Sequence, residues 1–313
     1  MIEVVKYYPD KKEEWNDFIT KSKNGTFLFN RNFMDYHSDR FTDFSLMIYK
    51  KGKLISCFPA NIVNNEIHSH QGLTYGGFIV NDKMRIAIAE EVLEAVIAFY
   101  RDKGIKRVFI KQIPSIYHKI PSNEMDYWLW HSGAVIYRRD TTFTVDLTHK
   151  LNLSSRKIRY KKKAEKNGLL IKESDDFADF WNKILISNLE MKYNVKPVHS
   201  LNEILMLAGM FPKNIRQYNV YFDEKIIAGA TLFISGETVH AQYISSNSIG
   251  AQKGALDFLF ILLMDKFKRE GYRYFDFGIS NENDGQVLNY SLAEYKEGFG
   301  ANVFIHEFYK CDL

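Results

Sequence analysis

Phe267-Lys-Arg-Glu-Gly-Tyr-Arg-Tyr-Phe-Asp276 reads as the end of a helix, a glycine stop and the start of a strand. A stretch of the same character, Tyr100-Arg-Asp-Lys-Gly-Ile-Lys-Arg-Val-Phe109, stands in the first half of the chain. Outward from each, the surroundings also match. Upstream of Gly271 lies a long helical pattern from Ala255 to Glu270, and upstream of Gly104 another from Met84 to Lys103. Before the first come strands at Asn219–Phe222, Ile226–Ser235 and Val239–Ser245, turning at Asp223-Glu224-Lys225 and Gly236. Before the second come Ser45–Tyr49, Leu54–Val63 and Ile67–Tyr75, turning at Lys51-Gly52-Lys53. A motif that recurs with its context marks a duplicated unit. A hairpin meander, one crossover helix and a further strand give a mixed, mostly antiparallel sheet flanked by helices, of the α/β to α+β class. The expected domains are 1–150 and 151–313.

The chain has 313 residues, 46% of them apolar and 26% charged, which excludes disordered, collagen-like and coiled-coil classes. Helical patterns at Lys11–Ser22 and Asn32–Asp39 precede the first meander. The net charge of +4 is not spread evenly. Arg156-Lys-Ile-Arg-Tyr-Lys-Lys-Lys-Ala-Glu-Lys166 holds seven basic residues against one acid, so the remainder of the chain is slightly acidic. The N-terminus lacks the apolar core of a secretory signal, and the longest greasy stretch, Ala255 to Met264, is too short to span a bilayer. With only Cys57 and Cys311, no disulfide framework or metal spacing is formed, and a cytoplasmic protein without membrane insertion is expected.

The junction Ser245-Ser-Asn-Ser-Ile-Gly-Ala-Gln-Lys-Gly-Ala255 places small residues before a helix, as a structural device or as a cradle for a phosphate-bearing ligand. Its candidate ligand-binding residues are Ser245, Ser246, Asn247, Gly250, Lys253, Gly254 and Ala255. The first copy has Gly76-Gly77 well before its helix, so only the second is expected to hold the phosphate. Capped by Ser154 or Ser155 and ended by Asn167-Gly168, the basic run should be one helix with Arg156, Arg159, Lys163 and Lys166 along one face. Such a face is either simply solvated or holds the phosphate of a nucleotide-linked or lipid-linked glycan or of an RNA.

Asp276 alternates with Phe275 and Phe277, an acid in a greasy strand. It either accepts hydrogen bonds from the next loop, orients an acceptor, or acts as a general base whose pKa burial raises. Glu282 lies in the polar loop beyond. His240 and Gln242 should share one face of their strand, with Tyr243 opposite, and His68 and His70 hold the comparable place in the first copy. No third metal ligand stands at a suitable spacing, so no metal is expected. No nucleophile elbow, Walker loop or dinucleotide fingerprint occurs.

The duplicated layout, Leu153-Ser-Ser-Arg-Lys-Ile-Arg-Tyr-Lys-Lys-Lys-Ala-Glu-Lys-Asn-Gly168, Lys196-Pro-Val-His-Ser200, Tyr274-Phe-Asp-Phe-Gly278 and Lys296-Glu-Gly-Phe-Gly300 together resemble the FemAB-like branch of the GNAT acyltransferases. The resemblance implies tandem GNAT domains, the first with a degenerate donor site. It also implies transfer of an activated acyl group to an amine, or sometimes a hydroxyl, of a cell-envelope or polysaccharide precursor. Relatives of this kind use aminoacyl-tRNA or acyl-coenzyme A. The Lys196–Ser200 segment resembles the exopolysaccharide-associated branch, so acetyl-CoA or another acyl-CoA is the expected donor. The GNAT loop pattern of Gln or Arg, two residues, Gly, one residue, then Gly or Ala is not matched by Ile249 to Ala255.

In the implied mechanism Lys296 polarises the acyl carbonyl, Asp276 or Glu282 is the base and Tyr243 the acid. His199, His240 and Gln242 face the acceptor, whose phosphate Arg156 and Arg159 clamp. Two further readings stand beside it: a tRNA-dependent aminoacyltransferase of the Fem type, and a catalytically inactive GNAT-fold module that binds glycan. The expected partner is a small-molecule or glycan-precursor acceptor rather than DNA.

Overall fold

A computed structural model describes residues 1–313, the side chains of Lys192 and Tyr193 excepted. It divides into two units: Met1–Asp140 with Asn283–Gln286 and Phe304–Leu313, and Thr141–Glu282 with Val287–Val303. The division expected at 150/151 therefore shifts. Residues 141–150 go with the second unit because the end of their strand pairs there. Residues 304–313 go with the first, where the C-terminal strand pairs with Arg107–Lys111.

In chain order the first unit contains strands β1 (Ile2–Lys6), β2 (Leu46–Lys50), β3 (Lys53–Phe58), β4 (Asn61–Val63), β5 (Glu66–His68), β6 (Ile79–Val80) and β7 (Arg107–Lys111). Its helices are α1 (Lys12–Lys21), α2 (Arg31–Met34), α3 (Ile86–Asp102) and α4 (Glu124–His131). Strand β8 (Val135–Asp146) leads into the second unit. There follow α5 (Ser155–Lys166), β9 (Leu170–Ser174), α6 (Ala178–Phe180), a π turn at Trp181–Leu185, α7 (Ile186–Tyr193), α8 (Leu201–Met210), β10 (Ile215–Phe222), β11 (Lys225–Ser235) and β12 (Thr238–Ser246). The chain continues through α9 (Ser248–Lys253), α10 (Ala255–Arg269), β13 (Tyr274–Ile279), the small hairpin β14 (Asn281–Glu282) and β15 (Val287–Leu288), α11 (Tyr290–Glu297) and β16 (Asn302–Asp312).

The second unit's sheet runs β9-β10-β11-β12-β13-β8. It is antiparallel except where the α10 crossover makes β13 parallel to β12. One side of α10 is apolar throughout, and Phe258, Phe260, Met264 and Phe267 bury it against Val239, Ala241, Phe275, Phe277, Phe143 and Val145. Phe260 meets Phe275 and Phe277 edge-on at 5.9 and 5.1 Å. Each large side chain so buried contributes about 1.5–3 kcal/mol, which fixes α10 across the sheet. Because side chains alternate along a strand, this packing leaves Thr144, His240 and Asp276 on the other face.

The first unit repeats the plan with a break. The expected strand Leu54–Val63 is two strands, since Pro59 has no N–H for the ladder, and β3 and β4 go to different sheets, β1-β2-β3-β6 and β4-β5-β7-β16. Helix α3 buries Ala89, Val92, Val96 and Tyr100 against Leu46, Phe58, Ile67 and Val108. The expected strand Ile67–Tyr75 stops at His68, and His70 takes a left-handed φ of 60°.

The two units differ most at their parallel pair. In the second, β12 and β13 are paired only at Thr238↔Tyr274, Val239↔Phe275 and His240↔Asp276, after which the strands diverge. In the first, β5 pairs with β7 over its whole length, and the next loop keeps to the same edge. Ser69 donates its N–H to the Phe109 carbonyl, Lys111 donates its N–H to the Ser69 hydroxyl, and Gly76 donates to the Lys111 carbonyl, each at 2.8 Å. The opening that exists in the second unit is thus sealed in the first.

The helix expected from Ala255 begins after a shorter one, and Gly254 at φ 74° separates the two. A Cβ there would lie 2.8 Å from the Tyr160 ring of α5, whereas one at Gly236, also left-handed, would meet nothing. Gly236→Ala should therefore cost only backbone strain of about 1–2 kcal/mol. Gly254→Ala should add an overpacking cost of about 1–3 kcal/mol. Urea denaturation of both variants checks this, and equal losses would show that Tyr160 yields freely.

Candidate active site

Asp276 lies on the face of the sheet opposite α10. It is 2% exposed, and its neighbours in register are Thr144 of β8 and His240 of β12. Oδ1 accepts from the hydroxyls of Thr142 at 2.5 Å and Thr144 at 2.9 Å and from the Gly278 N–H at 3.2 Å; Oδ2 accepts from His240 Nδ1 at 2.7 Å. Burial alone would raise its pKa, but the bonds from His240, Thr142 and Thr144 outweigh burial and hold it below the usual carboxylate range. The expectation of a base with a raised pKa is therefore overturned. Asp276 is an ionised acceptor whose oxygens are engaged. The threonines were not anticipated, although the alternation Thr142-Phe143-Thr144-Val145 carries the signal: hydroxyls on one face, core on the other.

Lys296, on α11, is only 4% exposed. Its Nζ donates to the carbonyls of Gly278 at 2.8 Å and Ile279 at 2.6 Å, at the end of β13. Burial pushes its pKa down to about 8, while nearby Asp276 pulls the other way. Gly278 has φ 75°, and a Cβ there would stand 3.2 Å from His240 Cε1. Lys296, Gly278, Asp276 and His240 are thereby gathered where β12 and β13 part.

The faces of β12 depart from simple alternation. β11 pairs Leu232 with Ala241 and then Thr231 with Tyr243, leaving Gln242 as the extra residue of a bulge. Tyr243 consequently shares the His240 face instead of opposing it. Its hydroxyl lies 2.5 Å from Nδ1 of His199, which is itself buried, and its ring meets Trp181 edge-on at 4.9 Å. Gln242 Oε1 and Ser280 Oγ are buried with no hydrogen-bond partner. Glu282 stands exposed on the hairpin, accepting from Asn289 at 2.7 Å.

Most of the expected cradle has other work. Ser245 and the Ser246 carbonyl are bonded by Asn188, and the Asn247 side chain caps α9 through the Gly250 N–H. Gly250 lies against the Ile227 carbonyl, Lys253 donates to Asn167 and covers the Phe222 ring, and Ala255 is buried in the core. Together with Tyr160 over Gly254, these contacts leave Ser248, Ile249, Ala251 and Gln252 of α9 as the exposed residues of the junction.

The basic helix forms as expected, with Ser154 as its cap. Its charges are not equivalent. Arg156 and Arg159 are exposed, but Lys157 is buried, 2.5 Å from Asp257 and above the Tyr295 and Phe299 rings at 3.3 and 3.8 Å. Burial lowers its pKa to about 8, and Asp257 opposes that shift. Among the described residues no cluster suited to a metal ion exists, and no helix is long and apolar enough to cross a membrane.

Residues 154–297 match the family model described as an acetyltransferase (GNAT) domain. Among solved structures the chain resembles FemX, at 11% identity and TM-score 0.70, over 99% of this chain and 97% of that one. It also resembles the C-terminal domain of a putative lysylphosphatidylglycerol synthetase from Agrobacterium fabrum, at 14% identity and TM-score 0.64, over 96% and 92%. A tandem GNAT protein from the clavulanic acid biosynthesis pathway follows, at 10% identity and TM-score 0.53, over 100% and 98%. No curated protein sequence matches the chain closely enough to count as a relative. Residues 154–297, a little under half of the chain, therefore carry an acetyltransferase (GNAT) domain. The fold shared with FemX and with the tandem GNAT protein extends over the whole chain.

Removing one partner of a buried pair leaves the other charge stranded. Lys157→Met should cost about 3–5 kcal/mol, whereas Arg159→Ala should stay within about 0.5 kcal/mol. Thermal and urea unfolding distinguish the two.

Proposed function

We propose that the second unit transfers an acyl group from acyl-coenzyme A to the amine of an amino sugar or related envelope-glycan precursor, the first unit being a degenerate copy. The observation that carries this reading is the placement of Lys296. Attack on a thioester develops negative charge on the carbonyl oxygen, and preorganised donors aimed at that charge are a large source of rate. An ammonium has three N–H donors, and Lys296 spends two on the Gly278 and Ile279 carbonyls, which aim the third. Beyond His240 the edge of β12 is not paired to β13, and unpaired strand N–H and C=O groups are complementary to an extended amide chain such as the pantetheine arm. The first turn of α9 and the exposed cations of α5 would take phosphate, with Arg156 and Arg159 on the acceptor side. Tyr243, held by His199, is the candidate acid for the leaving thiolate.

One observation favours a second donor. The exposed cationic face of α5 also suits the backbone of an aminoacyl-tRNA, whose ester would be attacked in the same way. Transfer assays with labelled acetyl-coenzyme A and with charged tRNA separate the two. The coenzyme A reading fails if no transfer occurs at millimolar donor, and the tRNA reading requires binding that weakens steeply with salt.

Lys296→Met should lower kcat about 10²–10³-fold and change donor Kd less than about twofold, because the interaction forms mainly in the transition state. The ammonium is the active form, so wild-type kcat should fall as pH rises through about 8. Steady-state kinetics between neutral and alkaline pH check both outcomes, and an unchanged rate in the variant removes Lys296 from the mechanism.

A further inference from the structure

Deepening that reading of the site, we propose that His240 is the catalytic base that takes the proton from the acceptor amine, and that Asp276 is its positioning residue. The chemistry needs such a group, because an amine attacks a thioester only as the neutral species. Asp276 does not fit the task, as its carboxylate already accepts from Thr142, Thr144, Gly278 and His240. The bond at 2.7 Å from His240 Nδ1 assigns the N–H to that nitrogen, since an ionised carboxylate only accepts. The lone pair of the neutral ring is then on Nε2, which no described residue hydrogen-bonds. An acid that fixes the tautomer of a histidine and steadies the imidazolium formed on proton uptake is the arrangement that makes imidazole an effective base.

The duplication supplies an internal comparison. In the first unit His68 of β5 occupies the register position of His240, but its partner on β7 is Phe109 where the second unit has Asp276. There the two rings stack at 4.8 Å, burial lowers the His68 pKa, and the edge beyond is sealed. A histidine at this place therefore has an acid to orient it only in the unit whose strands diverge. The free space at Gly278 lets the His240 ring lie close to the end of β13, where Lys296 is fixed.

The step balances without any further reagent. The amine loses a proton to Nε2, its nitrogen bonds to the carbonyl carbon, and the electron pair goes to the oxygen beside Lys296. Collapse breaks the carbon–sulfur bond, or the carbon–oxygen bond of an aminoacyl ester. The leaving group is protonated, and the proton held by His240 returns to solvent. The assignment does not depend on which activated donor is used.

The test joins kinetics to a readout that needs no turnover. In wild type, 15N NMR of the neutral His240 ring should show the Nδ1–H tautomer, and Asp276→Asn should disturb it; an Nε2–H ring would overturn the proposal. His240→Gln should lower kcat about 10²–10⁴-fold with donor Kd unchanged within about twofold. Added imidazole should restore part of the activity of His240→Ala. Circular dichroism and donor binding confirm that each variant is folded. An active wild type with a His240→Gln variant as fast as itself removes the base and leaves the acyl-transfer reading intact. A wild type that transfers from neither donor removes both.

Discussion

The parallel ladder between β12 and β13 is only three residue pairs long, and the site depends on where it ends. Up to His240 and Asp276 the strands are held by the sheet and by the phenylalanines of α10 below it. Beyond that point β12 bulges at Gln242 and turns into α9, while β13 ends in carbonyls gripped by Lys296. A longer ladder would bring the strand edges together and close the opening, as the Ser69–Gly76 loop does in the first unit. Divergence is tolerated because apolar burial on the other face does not require the two edges to be paired.

Charge is distributed in the same spirit. Three ionised groups are buried in the second unit, Asp276, Lys157 and Lys296, and each has a specific reason to remain so. Asp276 is supplied with hydroxyl and imidazole donors, Lys157 with a carboxylate and two aromatic faces, and Lys296 with two main-chain oxygens. The pKa values of both lysines fall to about 8, so desolvation is only partly compensated. For Lys157 this is the cost of anchoring a highly charged helix. For Lys296 it leaves an ammonium less strongly hydrated than one on the surface.

Much of the architecture was legible in the sequence because it follows from periodicity and stop signals. The helix over 255–269, its glycine stop and strand β13, the Ser154 cap and the repeated plan all belong to this kind. What was not legible depends on pairing. The bulge at Gln242 is visible only against β11, and without it Tyr243 is placed on the wrong side of the strand. The Ser245–Ala255 junction reads as an open cradle until Asn188, Tyr160 and Asn167, all distant in sequence, are seen to occupy it. The direction of the Asp276 pKa was left open because burial is readable from a greasy strand, whereas Thr142, Thr144 and His240 come from neighbouring strands.

The grip of Lys296 on β13 uses main-chain oxygens and no side chain of the strand. Every residue type carries a carbonyl, so the location of the cation is insensitive to what stands at Ile279, which is exposed. Heritable variation along this edge can therefore change the side chains around the Lys296 ammonium without moving it. A scaffold built this way can vary its edge while keeping its buried charge in place.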